Sequence, residues 1–107
     1  MIIYNVTINI DESIHQEWLN WIKAHIPQVL ATGKFTEAKL TKVLVEEDLG
    51  GVTYSVQYRA KSREALDAYY TDDAPKLRTE GLSKFADKML AFRTELEIVD
   101  EFTVTFN

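Results

Sequence analysis

The stretch Ile2-Ile3-Tyr4-Asn5-Val6-Thr7-Ile8-Asn9-Ile10 alternates without a slip. Ile2, Tyr4, Val6, Ile8 and Ile10 fall on one face, and Ile3, Asn5, Thr7 and Asn9 on the other. A period of two, rich in β-branched residues, describes a strand with one face buried and one face open. Residues 52–60 repeat the pattern: Val52, Tyr54, Val56, Tyr58 and Ala60 against Thr53, Ser55, Gln57 and Arg59. Two half-buried strands require a sheet that is covered on one side, so the segments around them must supply the cover and the remaining strands.

The segment after the first strand reads as a helix. Asp11 or Ser13 caps it, and Ile14, Trp18, Trp21, Ile22, His25 and Val29 share one stripe at about 100° per residue. Pro27 predicts a break or kink near His25 or Ile26, and Gly33 a C-cap or turn. Residues 35–45 form a second strand with Glu37, Lys39 and Thr41 on one face and Ala38, Leu40 and Leu44 on the other. Glu46-Glu47-Asp48-Leu49-Gly50-Gly51 makes the turn into the strand at 52–60, and its glycines supply positive φ.

Ser62 caps a short helix carrying Ala65, Leu66, Tyr69 and Tyr70. Asp72-Asp73-Ala74-Pro75 restarts a helix whose stripe is Ala74, Leu77, Gly81 and Phe85. A last strand is predicted over roughly 92–106. There Leu96, Ile98, Phe102, Val104 and Phe106 alternate with Glu97, Val99, Glu101, Thr103 and Thr105, and Asp100 implies a bulge. The order β-α-β-β-α-β, closed by right-handed crossovers, predicts an α+β ferredoxin-like sandwich. It has one antiparallel sheet, helices on one face, and the first and third strands at the centre. No repeat or linker divides residues 1–107, so one domain is expected.

Composition bounds the function. The 107 residues hold 12 Lys and Arg against 17 Asp and Glu, a net charge of −5, and no cysteine. Disulfides, thiolate nucleophiles and Cys-ligated zinc or iron–sulfur centres are excluded. The acidic balance argues against nucleic acid, which selects clustered Lys and Arg. No apolar run reaches membrane-spanning length, and residues 1–5 carry no leader-like pattern, so no membrane partner is expected and the cytoplasm is the expected compartment. His15 and His25 lie about 80° apart around their helix, which is not a metal-binding pair. No metal is expected. Both histidines, Trp18, Trp21 and most tyrosines read as packing residues.

The open sheet face is the informative surface. The alternation assigns to it Asn5, Thr7 and Asn9, then Glu37, Lys39 and Thr41, then Thr53, Ser55, Gln57 and Arg59, and finally Glu97, Val99, Glu101 and Thr103. It suits a solvated face, the interface of a homodimer, or a small-molecule ligand. RNA does not fit, because the outward positions of the third strand are Thr53 and Ser55 where base-stacking aromatics would be needed. The candidates for ligand or dimer contact are Asn5, Thr7, Asn9, Gln57, Arg59, Glu97 and Glu101. Asn and Gln orient a carbonyl or hydroxyl, Arg holds an anion, and a buried Glu serves as a base.

Three segments carry a family resemblance: Met1-Ile2-Ile3-Tyr4-Asn5-Val6-Thr7, Thr32-Gly33-Lys34-Phe35-Thr36 and Ala91-Phe92-Arg93-Thr94. Over its whole length the chain resembles an uncharacterised bacterial family, domain-of-unknown-function family 4286. The resemblance implies the fold of the dimeric α/β barrels, in which two ferredoxin-like units pack sheet to sheet, and therefore a homodimer. It implies no reaction. The wider fold includes cofactor-independent monooxygenases, and haem-degrading enzymes that use an Asn, a Trp and a His. Asn5 sits on the first strand as that Asn does. Trp18 and Trp21 lie in the first helix, and no His follows the third strand, so no cofactor is carried over. The expectation is a small homodimeric binding or interaction module working through the polar sheet face. The competing expectation is a cofactor-independent monooxygenase or isomerase acting on a small aromatic or quinol substrate inside the dimer barrel.

Overall fold

The structure is a computed structural model and describes residues 1–44 and 50–105. Strand β1 (Ile2–Ile10) leads through a 3₁₀ turn (Glu12–Ile14) into helix α1 (His15–Leu30). Strands β2 (Phe35–Lys42) and β3 (Val52–Ala60) follow, then helices α2 (Arg63–Asp72) and α3 (Ala74–Phe85), a second 3₁₀ turn (Ala86–Lys88) and strand β4 (Met89–Glu97). The sheet runs β2-β3-β1-β4 and every neighbouring pair is antiparallel. This is the α+β ferredoxin-like architecture, with β1 and β3 central. Residue 45 at the end of the predicted second strand, residues 46–49 of the predicted turn, and Phe106 lie outside the described residues.

Local chemistry accounts for the boundaries. Asp11 accepts the Ser13 N–H at 2.9 Å and opens the first helical turn. Ser62 accepts the Ala65 N–H at 3.0 Å and opens α2. Gly33 at φ +80° closes α1, its N–H donating to the Leu30 carbonyl at 3.1 Å. Gly50 and Gly51, at φ +79° and +78°, lead the chain into β3. Of the break or kink expected at Pro27, the break does not occur. The helix runs through it to Leu30, because buried Val29 anchors the last turn and the Ala31 N–H returns to the Pro27 carbonyl at 2.9 Å. Proline removes one N–H from the ladder, and packing beyond it outweighs that loss.

The helices cover the side of the sheet that carries Tyr4, Val6, Ile8 and Ile10. These pack with Trp18, Ile22 and Val29 of α1, Leu66 and Tyr69 of α2, Leu77 and Phe85 of α3, and Phe35, Tyr54, Val56 and Tyr58 of β2 and β3. Trp18 is fully buried and is among the largest of the fully buried side chains.

The last strand differs most from expectation. It begins at Met89 and ends at Glu97, where the register pairs Glu97 with Ile2. Beyond Ile2, β1 offers no further ladder; only the Ile98 N–H finds the Met1 carbonyl, at 2.8 Å. Residues 98–105 therefore form no strand despite their alternation, and the bulge expected at Asp100 has no ladder to interrupt. Val99, Phe102 and Val104 are exposed. The pairing also reverses the predicted faces: Leu96 stands opposite Ile3 on the open side, and Glu97 shares the helix side with Ile2 and Tyr4.

Candidate functional site

The open face is assembled by register. Thr41, Ser55, Thr7 and Phe92 form one row across the four strands. Lys39, Gln57, Asn5 and Thr94 form the next, and Glu37, Arg59, Ile3 and Leu96 the third. Thr53, Asn9 and Leu90 form a shorter row at the other end. The structure thus brings together Asn5, Thr7, Asn9, Gln57 and Arg59 as the sequence predicts. It leaves Glu97 on the opposite face. Glu101 lies outside any strand, but its carboxylate reaches Arg59 at 3.3 Å.

The polar centre of this face is already bonded within itself. The Ser55 hydroxyl donates to Asn5 Oδ1 at 2.6 Å, and Asn5 Nδ2 donates to the Thr7 hydroxyl at 3.2 Å. Asn9 Nδ2 donates to the Thr53 hydroxyl at 3.1 Å. Asn5 and Asn9 therefore spend donors or acceptors on neighbouring side chains. Toward β4 the face turns apolar: Leu90 is 58% exposed, Phe92 59% and Leu96 41%. Alternation alone does not reveal this stripe, because the strand it predicts starts at Phe92 and has the opposite phase.

The domain of unknown function DUF4286 matches residues 1–99. The chain belongs to this family. The match covers all four strands and all three helices of the sandwich, and so defines the family by fold. No curated protein sequence matches the chain. Solved structures with the same fold are distant. A dimeric ferredoxin-like protein from an uncultured marine organism is 14% identical with a TM-score of 0.69, covering 94% of this chain and 97% of that one. A variant of MhuD with two manganese protoporphyrin IX molecules bound per active site is 20% identical with a TM-score of 0.67, covering 97% and 100%. The hydroxynitrile lyase of Passiflora edulis is 16% identical with a TM-score of 0.61, covering 94% and 97%. At these identities the likeness is one of fold, and fold does not fix chemistry.

On the helix side this DUF4286 chain holds a cavity of about 50 Å³ between α1, α3 and the sheet. Tyr4, Trp21, His25, Tyr58, Tyr69, Arg78 and Arg93 contribute to its lining. Trp21 stacks on His25 with ring centroids 4.4 Å apart. Burial lowers the His25 pKa, with Glu80 partly opposing it. Burial also raises the tyrosine hydroxyls, Tyr69 to about 12 and Tyr58 further. Arg78 donates from Nη2 to the Tyr4 hydroxyl at 3.0 Å. His15, by contrast, bonds the Tyr54 hydroxyl through Nε2 at 2.6 Å, the packed role the sequence suggests. Arg78 and Arg93 escaped the sequence analysis as site residues. The available signals were position ones: Arg78 follows Leu77 beside the inner stripe of α3, and Arg93 shares strand parity with Met89 and Ala91.

Among the described residues no cluster of His, Asp or Glu could hold a metal ion, and no helix is long and apolar enough to cross a membrane.

Proposed function

We propose that the protein is a small homodimeric binding module whose two protomers close on each other through the open sheet faces. The stripe Leu90, Phe92 and Leu96 carries this reading. Three large apolar side chains in register on one edge strand lie beside a polar centre in which Asn5 and Asn9 are already paired. Such a surface gains from covering by another apolar stripe, and Asn5, Asn9 and Ser55 need no new partner to be buried. A two-fold axis supplies the same stripe from a second copy. The dimeric ferredoxin-like protein of matching fold supports a dimer. In this dimer Asn5, Thr7, Asn9, Gln57 and Arg59 border the interface, with Glu101 at its rim through Arg59.

The monooxygenase or isomerase reading places its substrate inside the dimer barrel, against this same open face. The side chains of Asn5 and Asn9 there already bond Ser55, Thr7 and Thr53, which favours the binding reading. Light scattering on a sizing column tests the dimer. The expected mass is twice the 12.3 kDa of one chain, falling to a single chain in Phe92→Glu with the circular dichroism unchanged. A wild-type mass of one chain at micromolar concentration overturns the proposal, as does a Phe92→Glu variant that remains dimeric.

A further inference from the structure

The cavity on the helix side is chemically lopsided. Acids outnumber bases 17 to 12 in the chain, yet no Asp or Glu lines this cavity, while Arg78, Arg93 and His25 do. Among the described residues neither arginine forms an ion pair. The nearby carboxylate of Glu95 is taken by Arg63, which contacts both of its oxygens, at 2.7 and 3.0 Å. Arg78 spends one nitrogen on the Tyr4 hydroxyl, and its Nε is buried without a partner. His25 Nδ1 is buried without a partner as well. An unmade bond at a buried polar atom is costly, the more so at a charged group. The buried guanidinium N–H of Arg78, with the positive charge of Arg93 on the same cavity, is therefore short of an acceptor that carries negative charge.

The size and the walls narrow the class. At roughly 10–15 Å³ per water-sized group, about 50 Å³ holds about three to five such groups. The remaining lining is mainly aromatic and aliphatic, with Trp21 and Leu77 among it. A planar carboxylate matches the guanidinium fork, and a short hydrocarbon end matches the apolar wall. A phosphate fills the volume with charge and leaves the apolar wall unmatched.

We propose that this cavity binds a short-chain monocarboxylate, held by Arg78 and Arg93, with its hydrocarbon end against the apolar lining. The site lies on the opposite side of the sheet from the dimer interface and stands independently of it.

A ¹H–¹⁵N NMR titration of the full chain with propionate tests the site, with propionamide as the neutral isostere. Propionate is expected to give saturable shifts at the Trp21 indole and the Gly81 amide, and propionamide none at the same concentration. Arg78→Gln weakens propionate binding about tenfold or more, consistent with loss of a charge-assisted pair. Arg93→Gln does the same on an exposed edge-strand residue whose replacement leaves the core intact. Phe92→Glu binds propionate as the wild type does, which separates this site from the dimer. Equal shifts with propionamide, wild-type affinity in Arg93→Gln, equal competition by inorganic phosphate, or shifts centred on Asn5 would each overturn the assignment.

Discussion

The two faces of the sheet are built from alternate residues of the same strands, yet they satisfy their side chains by different means. On the helix side Tyr4, Phe35, Tyr58 and Tyr69 pack as rings, with centroids between 4.9 Å for Phe35–Tyr69 and 6.1 Å for Tyr4–Phe35. On the open side Asn5, Thr7 and Ser55 bond to one another, and Leu90, Phe92 and Leu96 are left without cover in the protomer. One residue of register separates a side chain spent on the core from one offered to a partner. Aromatic residues on the two faces therefore carry different energies, and substitutions read the difference directly.

Trp18→Ala probes the helix side at its most buried large residue and carries the largest expected effect. Loss of a fully buried indole should cost about 3–5 kcal/mol of unfolding free energy, read by urea denaturation. Phe92→Ala on the open face should leave the concentration-independent stability within about 0.5 kcal/mol and lower only the concentration-dependent part. A loss of about 2 kcal/mol or more for Phe92→Ala in the isolated protomer would mean that the open face is packed like a core, and the contrast would fail.

Gly81→Ala gives the next effect. A Cβ at this position would stand 2.9 Å from the Trp21 ring and 3.3 Å from the Met89 methyl. Gly81 thus sets how closely α3 approaches α1 over the cavity. Overpacking there should cost about 1–3 kcal/mol and move Trp21, whose fluorescence reports the shift. If Gly81→Ala is as stable as the wild type with unchanged emission, α3 does not hold Trp21 in place, and the helix side is looser than its ring contacts imply.

The sequence made much of this contrast visible, and the failures have physical causes. In β1 and β3 an apolar parity faces a polar one, so Tyr4 and Tyr58 read as inward and Asn5 and Gln57 as outward from alternation alone. Ser62 and the stripe from Ala74 to Phe85 marked α2 and α3, because a cap and a 3.6-residue period are local signals. β4 has no such contrast. Leu90, Phe92 and Leu96 are apolar on the open side while Met89 and Ala91 are apolar on the other. The cleaner alternation after Leu96 drew the strand too far along, to residues whose neighbour had already run out at Ile2. Pro27 misled for a related reason: a local breaker was set against tertiary burial of Val29, and burial won. Arg78 and Arg93 belong to elements distant in sequence. Only the pairing of β4 with β1 and the seating of α3 bring them to one cavity, and no spacing rule along the chain encodes that.

Glu95 offers the smallest and most local test of the helix side. It stands opposite Tyr4 in the β1–β4 ladder. Arg63 approaches both of its carboxylate oxygens, and the Tyr70 hydroxyl donates to Oε2 at 2.6 Å. The Arg63 hydrogen bonds, then that of Tyr70, hold the Glu95 carboxyl at about 2, well under its ordinary 4.5. A depressed pKa in the folded state means that the unfolded chain binds the proton more readily. The resulting stabilisation is complete above about pH 4.5 and is lost as the pH falls toward 2. Solvent screens this exposed cluster, so its size should stay under about 1 kcal/mol. Glu95→Gln should therefore lower the denaturation midpoint slightly at pH 7 and flatten its fall between pH 4.5 and pH 2. An identical acid profile for wild type and variant would remove Glu95 from the groups that tie α2 to the edge of the sheet, leaving that attachment to the buried side chains of Leu66 and Tyr69.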